Sequence, residues 1–398
     1  MRGGAAIREW RASMSTPSIG RLTHPSPPLD PSVFPVTRRW AYCDHAAIGP
    51  LPQPTRDAVV AALDAQTDDG CAGILDVESR LESVRLAVAQ TIGADADEIA
   101  FMRSTSDGAL VVANGLDWRD GDEVLLSDNE FGANAFPWLN LHDIGVRPVL
   151  IRAPGQRLTV ETLERMASDR TRVVTVSQVG FSDGYRHDLR ALGAWCKAHK
   201  VIFAVDAIQG FGHLPIDVGS CEIDVCYFGV AKWLLSPQGL SVVYVRRELA
   251  ERLRPALCSW RSVKEPMRFL DYAQPLLPGA RRFDGATINY PAAIGFSESL
   301  RLITEAGLAN IEAHVLRLGD RFIAGVRSLG LPLVTDVEPA VRSAIVVAGR
   351  GGTSVEELQR RARDARVQVT IRDTGVRFAP HGYNTDDEVD RVLSILYK

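Results

Sequence analysis

The sequence predicts an α/β protein built on a mainly parallel sheet, and three features of the chain predict it. Short runs that are apolar almost throughout (Val124 to Leu126, Arg172 to Val179, Val201 to Val205, Val225 to Phe228, Leu240 to Val245) recur along its middle. Stretches of helical periodicity separate them, which is the pattern of strands buried on both faces by helices. Asp206 and Lys232 follow closely on two of these runs, at the strand ends where parallel sheets collect their ligands.

Taken in order, residues 1–37 carry Pro25, Pro27, Pro28, Pro31 and Pro35 and read as a poorly ordered arm. Two amphipathic helices are expected between residues 55 and 93. In the second, Val77, Leu81, Val84 and Val88 share a face that excludes Glu78, Arg80, Glu82 and Arg85. Helices over 107–116 and 187–199 alternate with the strands. The last hundred residues change character, with helices over 291–305 and 308–329 and a strand from Ser343 to Val347. Two further helices open on the capping boxes Thr353-Ser-Val-Glu356 and Thr385-Asp-Asp-Glu388. The expected organisation is an arm (1–37), a large domain (38–290) whose first segment packs toward a smaller one, and a small α+β domain (291–398).

Composition narrows the function. A formal net charge of −4 gives no electrostatic basis for binding nucleic acid or a membrane surface. No apolar run reaches the length of a membrane span, and the basic N-terminal residues lack the apolar stretch of a secretory signal. A cytoplasmic enzyme with small-molecule partners is the expectation. The six cysteines form no CxxC pair and no zinc spacing, so no metal site is expected, and HExxH, GxSxG and P-loop motifs are absent. Gly210-Phe-Gly212 lacks the third glycine and the helix start of a dinucleotide fingerprint.

The chain has only five lysines against forty arginines. Four of the five lie in polar or terminal surroundings; Lys232 alone sits between apolar segments, where desolvation turns an amine into a nucleophile toward carbonyls. Asp206 ends a buried strand and needs a cation or donors as partner. An amine that tethers an aldehyde and a carboxylate that keeps a pyridine protonated are what pyridoxal phosphate chemistry requires. Ser104-Thr105-Ser106 at a helix start suits a phosphate, and Phe131 offers a ring for stacking. Arg372 and Arg377 flank the end of a small-domain strand, where an arginine fork can grip a carboxylate.

The segments Phe203-Ala-Val-Asp206-Ala-Ile-Gln209 and Tyr227-Phe-Gly-Val-Ala-Lys232-Trp-Leu-Leu-Ser-Pro-Gln-Gly239 resemble the signature of class V aminotransferases. These are fold-type-I pyridoxal phosphate enzymes that include isopenicillin N epimerase and the cysteine desulfurases. The resemblance extends from Tyr42-Cys-Asp-His45-Ala46 through Arg281 to Asn289 and on to Val376-Arg377 and Asn384. It implies that Lys232 carries the cofactor as a Schiff base, Asp206 holds its ring nitrogen and Gln209 its phenolic oxygen. Thr105 and Ser106 would hold the phosphate and Phe131 would cover the ring. Thr287 would reach the neighbouring subunit's phosphate, in a homodimer with shared active sites. Arg377, with Arg372, would bind the substrate carboxylate, and His45 and Ala46 would line the substrate side. Gln178 and Gly180 depart from the family's usual choices at positions expected to face the substrate. No cysteine follows Cys258, where desulfurases of the family place a mobile nucleophile. The resemblance therefore implies transamination or C–S lyase chemistry at Cα/Cβ of an amino acid rather than persulfide formation. The alternatives are an epimerase of the isopenicillin N type and a non-catalytic pyridoxal phosphate-binding protein.

Overall fold

Residues 26–72, 76–151 and 157–397 are described by a computed structural model. In chain order the elements are β1 (Ala41–Tyr42), α1 (Gln53–Asp69), α2 (Val77–Ile92), β2 (Ile99–Met102), α3 (Thr105–Ala113), β3 (Glu123–Ser127), α4 (Gly132–Leu139), β4 (Arg147–Ile151) and α5 (Val160–Met166). There follow β5 (Thr171–Ser177), α6 (Leu189–His199), β6 (Ile202–Asp206), β7 (Val225–Gly229), β8 (Ser241–Val245), α7 (Arg247–Ala250), α8 (Tyr290–Ala306) and α9 (Leu308–Ser328). The chain closes with β9 (Val346–Ala348), α10 (Val355–Asp364), β10 (Val367–Gln368), β11 (Thr370–Arg372), β12 (Gly375–Phe378) and α11 (Asp386–Ser394).

Seven strands form the central sheet in the order β2-β8-β7-β6-β5-β3-β4. All pairings from β7 to β4 are parallel, whereas β8 runs antiparallel to both β7 and β2. The expectation of a parallel strand over Leu240 to Val245 is corrected in direction. The apolar runs are apolar because both faces are covered. Along β6, Phe203 and Val205 enter one core while Ala204 enters the other, as the period-2 alternation of a strand requires. Two strands of the central sheet escape sequence reading. One is β2; the other is the edge strand β4, whose Pro148 can be accommodated only where a ladder bond is not needed.

Three further expectations are corrected. Ser354, not Thr353, caps α10, accepting from the Glu357 amide at 3.2 Å. The strand expected from Ser343 begins only at Val346: the Ile345 amide donates locally to the Ser343 hydroxyl at 3.2 Å rather than to a ladder, and that hydroxyl donates to the Gly184 carbonyl at 2.8 Å. Residues 1–25 of the expected disordered arm lie outside the described residues, but 26–37 are anchored: Phe34 is buried and its ring stacks on Tyr383 at 3.9 Å. The Leu29 amide donates to the Gly382 carbonyl, and β1 pairs in parallel with β10. A three-stranded sheet, β11-β12-β9, lies in the C-terminal part. No helix among the described residues is long and apolar enough to cross a membrane.

Candidate active site

The parallel strands deliver their side chains to one edge. Ser177, Asp206 and Tyr227 are in register on β5, β6 and β7. Asp206 is 1% exposed. Its Oδ1 accepts from the Ile208 amide at 2.8 Å, while Oδ2 is buried with no partner. Burial pushes this carboxyl up to about 7. Lys232 follows β7 after a short turn. Burial moves its amine down to about 8, against the attraction of Asp206. Desolvation thus outweighs mutual attraction, and both groups are driven toward neutrality.

The backbone of Lys232 is clamped. Gly49 donates to the Ala231 carbonyl at 2.8 Å, and a Cβ on Gly49 would stand 2.1 Å from the Lys232 carbonyl oxygen. Only glycine allows that approach. Helix α3 begins beside it, with Ser104 as cap and Thr105 and Ser106 in its first turn. This start lies two residues before the expected one and gathers three hydroxyls and the free helix amides at one spot. The Lys232 Nζ lies 5.5 Å from the centroid of the Phe131 ring, which meets Phe181 edge-on at 5.2 Å.

Opposite stand the two arginines, on the hairpin of β11 and β12. Arg377 is paired with Thr370 across the strands, and Arg372 lies two residues beyond Thr370 on the same face. The Arg377 guanidinium is buried and largely engaged. Nη1 donates to the Phe181 carbonyl at 3.0 Å, and Nη2 donates to Asp44 at 3.2 Å and to Thr370 at 3.0 Å. Its Nε is buried without a partner. Arg372 packs over the Phe181 ring at 5.8 Å.

One cavity of about 360 Å³ joins these groups. Its walls include Ala46, Ser104, Thr105, Ser106, Phe131, Phe181, Gln209, Lys232, Arg372 and Arg377. Gln209 donates to the Ala46 carbonyl and accepts from the Trp233 indole, both at 3.0 Å, so its amide is already fixed. Thr287 is exposed, outside this cavity.

His45 does not line the cavity. It is fully buried, with Nδ1 against the Ala379 carbonyl and Nε2 against the Tyr383 hydroxyl, both at 2.9 Å. The neighbouring Asp44 side chain, which the sequence reading passed over, faces Arg377 instead. Gln178 is likewise absent from the cavity walls; its amide reaches back to the Pro215 carbonyl at 3.3 Å. Also missed were Phe181 and Glu130, the latter adjacent in sequence to Phe131 and bonded to Ser177.

The residues present fit pyridoxal phosphate. The orphaned Oδ2 of Asp206 is an acceptor waiting for an N–H, the Lys232 amine is desolvated, and the α3 start supplies phosphate donors. The family model described as Aminotransferase class-V matches residues 41–392. A protein of Methanothermobacter thermautotrophicus named a probable cysteine desulfurase is 26% identical over 378 residues, covering 89% of this chain and 94% of that protein. An uncharacterized aminotransferase of Bacillus subtilis is 28% identical over 314 residues, covering 79% and 82%. Among solved structures, an apo cysteine desulfurase from Thermococcus onnurineus NA1 superposes with a TM-score of 0.83 at 24% identity, covering 92% of this chain and 96% of the other. That likeness establishes the fold as fold-type-I.

Proposed function

The chain belongs to the class V aminotransferase family, whose cofactor is pyridoxal phosphate, and from that premise we propose an enzyme acting at Cα/Cβ of an amino acid by transamination or C–S lysis. One observation carries the reading: a desolvated lysine amine and two guanidinium groups line one cavity, and the strand end behind it holds a buried carboxylate with a partnerless oxygen that attracts that lysine. A protein that merely stored the cofactor would have no use for the two guanidinium groups.

Bound pyridoxal phosphate supplies an electron sink conjugated to the substrate's Cα. In this proposal Lys232 tethers it and, once released by the substrate amine, moves the proton at Cα. Asp206 holds the ring N–H, Thr105 and Ser106 hold the phosphate, Phe131 covers the ring and Gln209 borders the phenolic oxygen. Arg372 and Arg377 hold the substrate carboxylate and so fix which Cα bond stands perpendicular to the ring. Relatives that carry the name desulfurase leave persulfide formation as the competing outcome. Among the described residues no cysteine lines the cavity, which favours a reaction without a protein persulfide.

The test is the visible spectrum of the purified protein with pyridoxal phosphate, wild type beside Lys232→Ala, before and after a panel of amino acids. A band that borohydride fixes onto Lys232 and that one amino acid alters is expected. Released sulfide with a keto acid identifies lysis; an amino-group acceptor requirement identifies transamination; loss of optical purity alone identifies epimerisation. A band indifferent to Lys232→Ala overturns the assignment. We propose further a homodimer in which Thr287 serves the partner's site. Mixing Lys232→Ala with Thr287→Ala subunits would then regenerate one intact site per hybrid, and mixtures with no activity above the two parents count against the shared site.

A further inference from the structure

Beneath the cavity floor runs a hydrogen-bonded network that no step of the proposed chemistry uses. Glu130 stands one residue before Phe131, and its carboxylate faces β5. Oε1 accepts from the Ser177 amide at 2.8 Å, and Oε2 accepts from the Ser177 hydroxyl and from the Asn134 amide, the latter at 2.9 Å. Asn134 is fully buried. Its Oδ1 takes the hydroxyls of Tyr227 at 2.5 Å and Thr175 at 3.0 Å.

Ser177 and Tyr227 are the in-register neighbours of Asp206 on either side. Every hydroxyl that could donate to Asp206 from those two strands is therefore committed elsewhere, to Glu130 or to Asn134. The outcome is visible at Asp206, whose Oδ2 is left bare. A second carboxylate is meanwhile fixed one strand away, since neighbouring strands lie ~5 Å apart.

We propose that Glu130 is a positioning residue acting through Asp206: its fixed negative charge makes Asp206 a stronger base and keeps the ring nitrogen of bound pyridoxal phosphate protonated to higher pH. The inference rests on the cofactor reading given above. Its sign follows from electrostatics. A like charge disfavours ionisation of its neighbour, so Asp206 gives up a shared proton less readily to solvent, and the cation on the ring nitrogen gains a second counter-charge. At an effective dielectric of ~20, charges separated by roughly the width of one to two strands interact by about one to two pH units.

Other groups facing Asp206 are Lys232, whose cation opposes the effect, and Tyr227 and Cys226, both kept neutral by burial. Glu130 faces Asp206 and Tyr227. Burial raises the Glu130 carboxyl above its ordinary value, and the three donors from Ser177 and Asn134 oppose that rise. The donors hold both carboxylate oxygens in position and favour the charged form that the proposal requires.

The experiment follows ring-nitrogen protonation directly, by the ¹⁵N shift of ring-labelled pyridoxal phosphate bound to wild type, Glu130→Gln and Glu130→Asp between pH 6 and 10. In the Gln variant the nitrogen is expected to lose its proton roughly one pH unit earlier than in wild type, while the Asp variant, which keeps the charge, stays near wild type. Equal titration in wild type and Gln, with the borohydride-fixed band intact, overturns the proposal. So do equal shifts in Gln and Asp, which mark a purely structural role. A wild-type nitrogen already unprotonated at pH 7 overturns it without any variant. Absence of the fixed band in wild type, by contrast, is the failure of the cofactor reading.

Discussion

The two arginines of the site are chemically alike but differently held, and substitution separates them. Arg377 is buried against Asp44, whose carboxyl burial pushes upward against the opposing pull of Thr370 and Arg377. Arg377→Ala strands that carboxylate, a loss typically of about 3–5 kcal/mol for a buried pair. The variant should melt well below wild type as well as lose substrate binding. Arg372→Ala removes only a guanidinium resting on a ring, so melting stays put while KM rises about tenfold, the worth of a charged hydrogen bond. Calorimetry beside steady-state kinetics checks both. Lys232 carries a pH prediction. Its folded pKa lies below the ordinary lysine value, at about 8, so the attacking free amine gains population as pH rises through 8. Capture of pyridoxal phosphate by the cofactor-free protein, followed by stopped-flow absorbance, should accelerate up to that pH and then level off. Lys232 and Asp206 were legible in the sequence because burial makes an isolated charge conspicuous among apolar neighbours. His45 was misread because sequence adjacency does not say which of two neighbouring side chains turns inward; the backbone sends Asp44 to the site and His45 to the core.

At the scale of elements, the start of α3, proposed to hold the cofactor phosphate, depends on how closely that helix sits on the sheet. Gly108 lies against β7: a Cβ there would stand 2.4 Å from the Tyr227 Cβ. Tyr227 is fully buried with its hydroxyl committed to Asn134 and has nowhere to retreat. Gly108→Ala should therefore push α3 outward, moving Thr105 and Ser106 with it. Overpacking of this kind costs typically about 1–3 kcal/mol, and affinity for pyridoxal phosphate should fall beyond what the stability loss explains. Fluorescence titration of the cofactor beside thermal melts distinguishes this from Ser104→Ala, which removes one cap at about 1 kcal/mol and leaves the helix seated. The longer helices were readable from their amphipathic period and most central strands from short runs that are apolar throughout. The glycine's role was not, since closeness between α3 and β7 arises from residues 119 positions apart in the chain, Gly108 and Tyr227.

Across the whole molecule, the first described segment and the last meet over a nest of neutral histidines. Phe34 stacks on Tyr383, Tyr383 bonds His45, and His45, His213 and His381 surround or adjoin the Trp233 ring. The Pro-rich composition that suggested an arm conceals this, because Phe34 and Leu29 are isolated apolar residues whose partners lie at the other end of the chain. Residues 29–43 therefore pack with the C-terminal part of the chain. The nest has a pH signature. Burial holds His381 down at about 4, below the ordinary value of 6.5, with its Nε2 on the Trp233 carbonyl at 2.8 Å. Between pH 6.5 and 4 the unfolded chain binds more protons at this position than the folded one, so stability falls as pH falls through that window. Buried carboxyls raised by desolvation, Asp206 among them, act in the opposite direction, so total stability against pH does not isolate the histidine. A comparison with His381→Gln does. The variant will be less stable at every pH, but it lacks the titration. From pH 7.5 to 5, wild type should lose about 2 kcal/mol more than the variant, read from denaturant midpoints at the two pH values. Equal losses would mean that His381 exchanges protons with solvent in the folded protein and that the nest is open where the first described segment meets residues 381–383.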